Sequence, residues 1–201
     1  MRLTLIYICA IGLCSCTSDN PFDYSNSFLR LNDKCEADLE YMRQQIDSMG
    51  TQIKGTWKVD SVLFKTTIAT TDRLIKRFEF LADSLKEADS YKGDNSINKK
   101  AIKLLRLYST ETVPIYADFI NDHYNVYGKN DIMSMTVLGQ DSLNQIIIKS
   151  QENMLAASEK QGAESQDFVN YIIDWVERFK EKRKNTAHNN VLVPGGGSVS
   201  S

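Results

Sequence analysis

Proline is scarce in this chain. The 201 residues contain three prolines, at positions 21, 114 and 194, so only Pro114 falls between residues 22 and 193. A proline inside a helix removes a backbone hydrogen bond and clashes with the preceding turn. Long stretches without proline therefore favour a helical body.

An excess of charge of one sign is also lacking. The chain has 24 basic and 26 acidic residues, a formal net charge of −2. Nucleic-acid-binding proteins usually carry a strongly basic surface. This nearly balanced charge argues against nucleic acid as a partner.

Patterns of known catalytic chemistry are missing as well. The sequence has no Gly-rich phosphate loop, no Cys-x-x-Cys, no His-Glu-x-x-His and no nucleophile elbow. Asp118 and Asp122 lie one turn apart on a predicted helix, but His123 is rotated by about 100° from Asp122. We therefore predict no enzyme activity, no catalytic residue, no metal site and no cofactor.

The apolar run at the start of the chain is too short to cross a membrane. It extends from Leu3 to Leu13, whereas a membrane-spanning helix needs about 20 apolar residues. It follows Met1-Arg2 and precedes the small pair Ser15-Cys16. A basic start, a short apolar core and a small-residue cleavage site are the parts of a secretory signal.

The end of that run resembles the lipobox of bacterial lipoproteins. It reads Leu13-Cys14-Ser15-Cys16, and Cys14 departs from the small or aliphatic residue usual at its position. The resemblance implies that residues 1–15 are a removed signal peptide and that Cys16 is lipidated. Two or more acyl chains hold a protein firmly on a membrane. The alternative is an ordinary secretory signal cut elsewhere, with Cys16 a free thiol.

Residues 16–26 are predicted to form an acidic tether. This stretch is similar to the export signal of surface lipoproteins in Bacteroidota, although Asn20 and Pro21 dilute it. The expected location is the outer membrane, with the periplasmic face and the cell surface both open. With Cys16 acylated, Cys35 is the single remaining cysteine of the mature chain, so no internal disulfide is expected.

The body, residues 27–185, shows apolar residues at alternating steps of four and three, which is heptad spacing. The first seam consists of Cys35, Leu39, Met42, Ile46, Met49 and Ile53. The second runs from Ile53 through Trp57, Asp60, Phe64, Thr67, Thr71, Leu74, Phe78, Leu81 and Leu85 to Ala88. The third runs from Leu143 through Ile147, Ser150, Met154, Ala157, Gln161, Ser165, Phe168, Ile172 and Trp175 to Phe179.

Each long seam is interrupted by an inserted four, a stutter, beside a glycine. The first stutter lies between Gly50 and Gly55 and the second at Gly162. Each can be a turn or an irregularity in a continuous helix. For the stutter between Gly50 and Gly55, we favour one continuous helix from about residue 28 to 91. For the stutter at Gly162, a turn and a continuous helix both remain open.

Shorter helices are predicted between these seams. One covers Ser96–Tyr108, Ser109–Thr112 is a stop and restart, and Pro114 opens a helix that Gly128 closes. Ile132, Met135 and Leu138 begin another, with a break near Gly139–Asp141. Residues 186–201 are predicted to be a flexible tail.

One segment favours a different fold. Gly55-Thr56-Trp57 resembles the Gly-x-Trp that opens the first strand of lipocalin-like domains. A barrel needs about eight strands, and residues 72–90 and 96–108 have helical spacing instead.

The sequence therefore predicts an all-α, elongated bundle of long heptad-patterned helices that is partly coiled coil. The expected function is that of a helical spacer, adaptor or structural subunit of an envelope assembly, bound to the membrane by its lipid and to other envelope proteins or itself. An accessory lipoprotein of a contractile secretion machine is one candidate class. The alternative is a small ligand-binding lipoprotein, lipocalin-like or a closed helical bundle. The interaction candidates form one apolar stripe, expected to be covered by the Ile53–Ala88 seam: Phe168, Ile172, Trp175 and Phe179.

Overall fold

Long helices running alternately up and down account for most of the chain. The computed structural model describes residues 20–129 and 135–191, with the backbone alone for 182–191. Its α-helices are α1 (Pro21–Thr56), α2 (Ser61–Glu87), α3 (Ser96–Leu107), α4 (Val113–His123) and α5 (Val137–Val191).

One π-turn joins α3 to α4 in a continuous helix, and a second π-turn extends α4. They cover Tyr108–Thr112 and Tyr124–Gly128, and the backbone at their junctions stays right-handed helical. The predicted stop at Ser109–Thr112 is therefore wrong. Pro114 lies in the first turn of α4, and the wider turn before it accommodates a proline that cannot donate a hydrogen bond to the preceding turn. The predicted end at Gly128 is confirmed.

With α3, α4 and their π-turns counted as one helix, four helices form an antiparallel bundle. Consecutive helices pack on each other, and α5 also packs on α1. Within the described residues there is no strand, only an isolated bridge between Tyr91 and Asp94. The all-α prediction is confirmed. The lipocalin-like alternative is wrong, because Gly55 and Thr56 end α1 and Trp57 takes a left-handed conformation (φ 56°) that stops it.

The continuous helix predicted for residues 28–91 is wrong. The chain turns between Trp57 and Asp60, and not at Gly50 or Gly55, both of which lie inside α1. Asp60 is not a seam residue, because its carboxylate accepts hydrogen bonds from the backbone N–H groups of Val62 (2.7 Å) and Leu63 (3.0 Å). It is the N-cap that starts α2.

The later seam does form one helix. α5 continues without a break through Gly139–Asp141 and through Gly162, so its inserted four is a stutter. It also continues to Val191, past the predicted end of the body at residue 185. The predicted start at Ile132 lies outside the described residues.

α1 begins earlier than predicted. The side chain of Asn20 caps the helix by accepting a hydrogen bond from the N–H of Phe22 at 3.1 Å, and Pro21 occupies the first turn. Tyr24 and Ser25, assigned to the tether, are buried in the bundle. Only residues 16–20 of that predicted tether precede the helix.

Most seam positions form the core. The buried members include Cys35, Leu39, Met42, Ile46, Met49, Leu74, Phe78, Leu81, Leu85, Ile147 and Ala157. Thr67 and Thr71 are buried too, and their hydroxyls donate hydrogen bonds to the carbonyls of Leu63 and Ile68 in their own helix. These polar seam members therefore need no polar partner on a facing helix.

The apolar stripe at the C-terminal end of the bundle is covered within the chain. Phe168, Ile172 and Trp175 are buried, and Phe179 is half-buried. Trp175 does not pack on the residues expected. Its ring contacts Tyr24 and Tyr91, at 5.8 and 5.3 Å between centroids. Neither residue belongs to the Ile53–Ala88 seam. The stripe is thus core in this structure and is not an exposed interaction surface.

A hydrogen bond fixes the orientation of this tryptophan. The indole Nε1 of Trp175 donates to the carboxylate of Asp94 at 3.0 Å, and the other oxygen of Asp94 accepts from the N–H of Ser96 at 2.8 Å. Although burial opposes it, these hydrogen bonds lower the pKa of Asp94. Asp94 therefore links the first residue of α3 to Trp175 in the stripe.

Replacing Trp175 by Ala should lower the free energy of unfolding by about 3–5 kcal/mol, the usual cost of truncating a buried aromatic side chain. The matched control is Phe80→Ala, because Phe80 is an aromatic residue inside α2 that is 47% exposed and should change stability by no more than about 0.5 kcal/mol. Urea denaturation followed by circular dichroism measures both. Equal midpoints for the two variants would show that Trp175 is not part of the core.

Candidate functional site

A polar network joins α1 to α5 near the middle of the bundle. The carboxylate of Glu36 accepts hydrogen bonds from the hydroxyl of Tyr108 (2.8 Å) and from the side-chain amide of Gln161 (2.7 and 2.9 Å). The amide oxygen of Gln161 accepts from the guanidinium of Arg43 at 2.9 Å. One turn farther along α5, the hydroxyl of Ser165 accepts from Asn32 at 3.2 Å. We call these five side chains and Asn32 the α1–α5 polar network.

The network has a fixed protonation pattern. Burial, together with the negative charge of Glu36, raises the pKa of Tyr108. The phenol therefore stays protonated and donates to the carboxylate at all physiological pH values. Gln161 is buried, so its amide must find partners inside the protein, and the network supplies them on both sides.

On one side of this network α1 and α5 separate and leave a groove. The groove has a volume of about 540 Å³, and residues of α4 lie between the two helices. We call it the distal groove, and its lining is mostly apolar with a few polar groups: Ile46, Asp47, Met49, Gly50, Thr51, Lys54, Phe119, His123, Gln151, Met154 and Leu155.

Two residues mark the distal groove as an unfilled surface. A Cβ added to Gly50 would meet no atom within 4 Å, although a glycine inside a helix costs about 1 kcal/mol relative to alanine. Leu155 on the opposite wall is 59% exposed. Packing within the described residues therefore leaves the side chain of Leu155 largely uncovered and leaves open space beside Gly50.

His123 contacts the groove from α4. Its ring packs on Phe119, at 3.9 Å between centroids, and its Nδ1 donates to the carbonyl of Phe119 at 2.9 Å. The proton is assigned to Nδ1 because the partner is an acceptor. Burial lowers the pKa of His123. The imidazole is therefore neutral at pH 7 and lies among apolar neighbours.

The structure does not assemble a metal site from the acidic residues of α4. Asp118 and Asp122 line a separate cavity of about 400 Å³ together with Lys149, whereas His123 lines the distal groove. Among the described residues no group of three or more His, Cys, Asp or Glu side chains is placed to hold a metal ion.

Cys35 lies in the seam, where a buried thiol was expected, and it is buried. Burial raises the pKa of this thiol to about 12. A thiol with such a pKa carries almost no thiolate at neutral pH, and thiolate is the nucleophilic form. Cys35 is therefore a core residue.

Sequence reasoning missed the distal groove. Its one readable signal was Gly50, a glycine inside a helical pattern, which was interpreted as part of a turn or stutter. Cys16, the predicted lipidation site, lies outside the described residues. Within the part of the chain that the structure describes, no helix has the length and apolarity needed to span a bilayer.

Comparison with protein-family profiles, with curated proteins and with solved structures gave no match to this chain.

His123 predicts a specific dependence of stability on pH. Since its pKa is lower in the folded protein, the unfolded chain binds a proton first as the pH falls through the ordinary histidine value of about 6.5. Stability should fall between about pH 7 and pH 5, and His123→Phe should remove this decline. Urea midpoints at four pH values across this window test it, and an unchanged decline in the variant would assign the effect to other groups.

Proposed function

We propose that this chain is a lipid-anchored protein of the bacterial envelope that acts as a helical spacer or adaptor and binds a partner protein in the distal groove. The lipobox-like sequence Leu13-Cys14-Ser15-Cys16 supports the anchor. The open groove, with Gly50 on one wall and the exposed Leu155 on the other, is the observation that carries the proposed binding.

The two ends of α1 have different roles in this proposal. α1 begins at Pro21, five residues after Cys16, and its 36 residues extend about 54 Å. Met49, on the wall of the groove, lies about 40 Å along the helix from Pro21. The bundle would therefore hold the groove well away from the lipid surface, as a spacer requires.

The shape of the groove suits a helical ligand. Two roughly antiparallel helices form its walls, and side chains of α4 form its floor. Amphipathic helices bind in such grooves by inserting apolar side chains spaced three and four residues apart. Gly50 allows the backbone of a ligand helix to approach closely. Asp47 and Lys54 lie on the same wall and would orient charged side chains at the rim.

More specifically, we propose that the protein is a subunit of a larger envelope assembly. An accessory lipoprotein of a secretion machine fits an outer-membrane anchor followed by a helical body. The proposal covers both the periplasmic face and the cell surface as the location of the body.

A second candidate function is the binding of a small apolar molecule. The volume of the groove, about 540 Å³, falls within the range of small-molecule sites, roughly 300–1,000 Å³. This observation favours the helical form of the ligand-binding alternative. The groove lies between three helices and is open along one side, which suits a protein segment better.

Replacing Cys16 by Ser should release the protein from the membrane fraction, because the two or more acyl chains that hold it would be lost. Labelling with palmitate and fractionation of cells measure this effect. Protease treatment of whole cells then decides between the cell surface and the periplasm. A Ser variant that still takes up palmitate and sediments with membranes would disprove lipidation at this position.

Replacing Gly50 by Leu should block the groove without unfolding the protein. There is space for the side chain at Gly50, and leucine favours a helix more than glycine does. With a photocrosslinking residue at Leu155, the change should reduce crosslinking to a partner by about tenfold or more, which corresponds to about 1.4 kcal/mol of binding free energy.

The matched control for this experiment is Gly162→Leu. Gly162 also lies inside a helix with no atom near an added Cβ, but it does not line the groove. Both variants should melt at or above the temperature of the original protein. Equal crosslinking in the Gly50 and Gly162 variants would contradict a partner in the groove. Loss of a bound apolar dye without any protein crosslink would favour the small-molecule function.

A further inference from the structure

The end of the bundle nearest the anchor carries exposed apolar side chains on one face. Phe22, in the first turn of α1, is 43% exposed, and Ile173 on α5 is 52% exposed. The ammonium of Lys180 lies 4.9 Å from the centre of the Phe22 ring. Ile173 and Lys180 are seven residues apart, which places them on the same side of α5. We call these three residues the anchor-end patch.

The chain between the anchor and this patch is short. Only residues 17–20 separate Cys16 from the first helical residue, Pro21. Five extended residues span at most about 17 Å. A lipid on Cys16 would therefore keep Phe22 within about 20 Å of the bilayer surface on any path that the chain can take.

The C-terminal part of α5 makes the approach closer. Trp175 contacts Tyr24, so the two lie at the same level of the bundle. From that level α5 continues for 16 residues to Val191, which is about 24 Å. In the same direction, the extended tether and the first turn of α1 separate Tyr24 from Cys16 by at most about 22 Å.

An upright bundle on a relaxed tether would therefore push the end of α5 into the bilayer. The sequence there is polar, with Lys182, Arg183 and Lys184 followed by Asn185 and Thr186. Polar helix ends do not enter the hydrocarbon core, because their side chains and last carbonyl groups would lose water. An upright body would therefore need an almost fully extended tether, whereas a tilted body brings one side of its lower end to the headgroups.

We propose that the anchor-end patch is that side, and that Phe22 and Ile173 rest in the interfacial region of the bilayer that holds the lipid of Cys16. Aromatic and aliphatic side chains are stable at this depth, and a lysine places its methylene chain along them while its ammonium reaches the phosphates. This proposal rests on the lipidation of Cys16 and goes beyond it, because it assigns a membrane contact to the folded body.

The patch predicts a contact that depends on apolar burial more than on charge. Lys180 is paired with Glu177 on its own helix, and Glu181 follows it. The net charge of the patch is therefore small, and zwitterionic lipid is a sufficient partner. The probe for the test is accordingly a vesicle of phosphatidylcholine.

The test uses the full lipidated protein with an environment-sensitive fluorophore on a single introduced cysteine. Cys16 is blocked by its lipid in this proposal and Cys35 is buried with a raised pKa, so only the new thiol reacts. Phe22→Cys and Ile173→Cys carry the probe in the patch. Tyr41→Cys is the matched control, because Tyr41 lies on α1 with a similar exposure of 50% and about 29 Å farther from the anchor.

In vesicles containing a nitroxide-labelled lipid, emission from positions 22 and 173 should fall roughly twofold or more, and emission from position 41 should not change. Raising the salt concentration should leave the result unchanged. Protein that floats with the vesicles but shows no quenching at position 22 would overturn the patch and leave the anchor intact. Protein that does not float would overturn both. Equal quenching at all three positions would replace the patch by a bundle that lies flat on the membrane.

Discussion

The α1–α5 polar network sets the register of the whole bundle. Glu36 has a buried tyrosine hydroxyl and a buried amide as partners, and removal of any one of them would leave a polar group unpaired in the interior. Such a loss costs about 1–3 kcal/mol per group. Sliding α5 past α1 by one turn would break the hydrogen bonds of Gln161 to Glu36 and Arg43 and that of Ser165 to Asn32. The network therefore determines which residues of the two helices meet on either side of it.

Two different surfaces result from that register. On the side toward Pro21, aromatic residues close the bundle around Trp175, whose neighbours are Tyr24, Tyr91 and Phe179. On the other side α1 and α5 are no longer held together, and the distal groove opens beside Gly50. A closed core on one side and an open groove on the other are consistent with the proposed attachment at one end and binding at the other.

The core could be predicted from the sequence, whereas the ends of the helices and the groove could not. Heptad spacing identified the buried faces correctly because periodic burial is a property of each helix alone. Asp60 was mistaken for a seam residue, although an aspartate before Ser61 is also an N-cap signal. The same holds for Asn20 and Pro21. The π-turns and the separation of α1 from α5 depend on contacts between helices, which the spacing of one helix does not encode.

The anchor-end patch and the distal groove lie on the same face of the bundle. On α1, Tyr24 and Met49 are both buried. Phe22 and Asp47 each lie two residues before one of them, so Phe22 and Asp47 lie on the same side of the helix. On α5, Leu155 and Ile173 are 18 residues apart, which is five full turns.

This arrangement restricts how a partner can bind. A helix in the groove would run parallel to α1 and α5 and would continue along this face toward the lipid. A partner segment of about 40 Å, or roughly 27 helical residues, would reach from the groove to the membrane interface. Under the function proposed above, this arrangement suits an adaptor that aligns its partner with the direction from the distal end of the bundle to the bilayer.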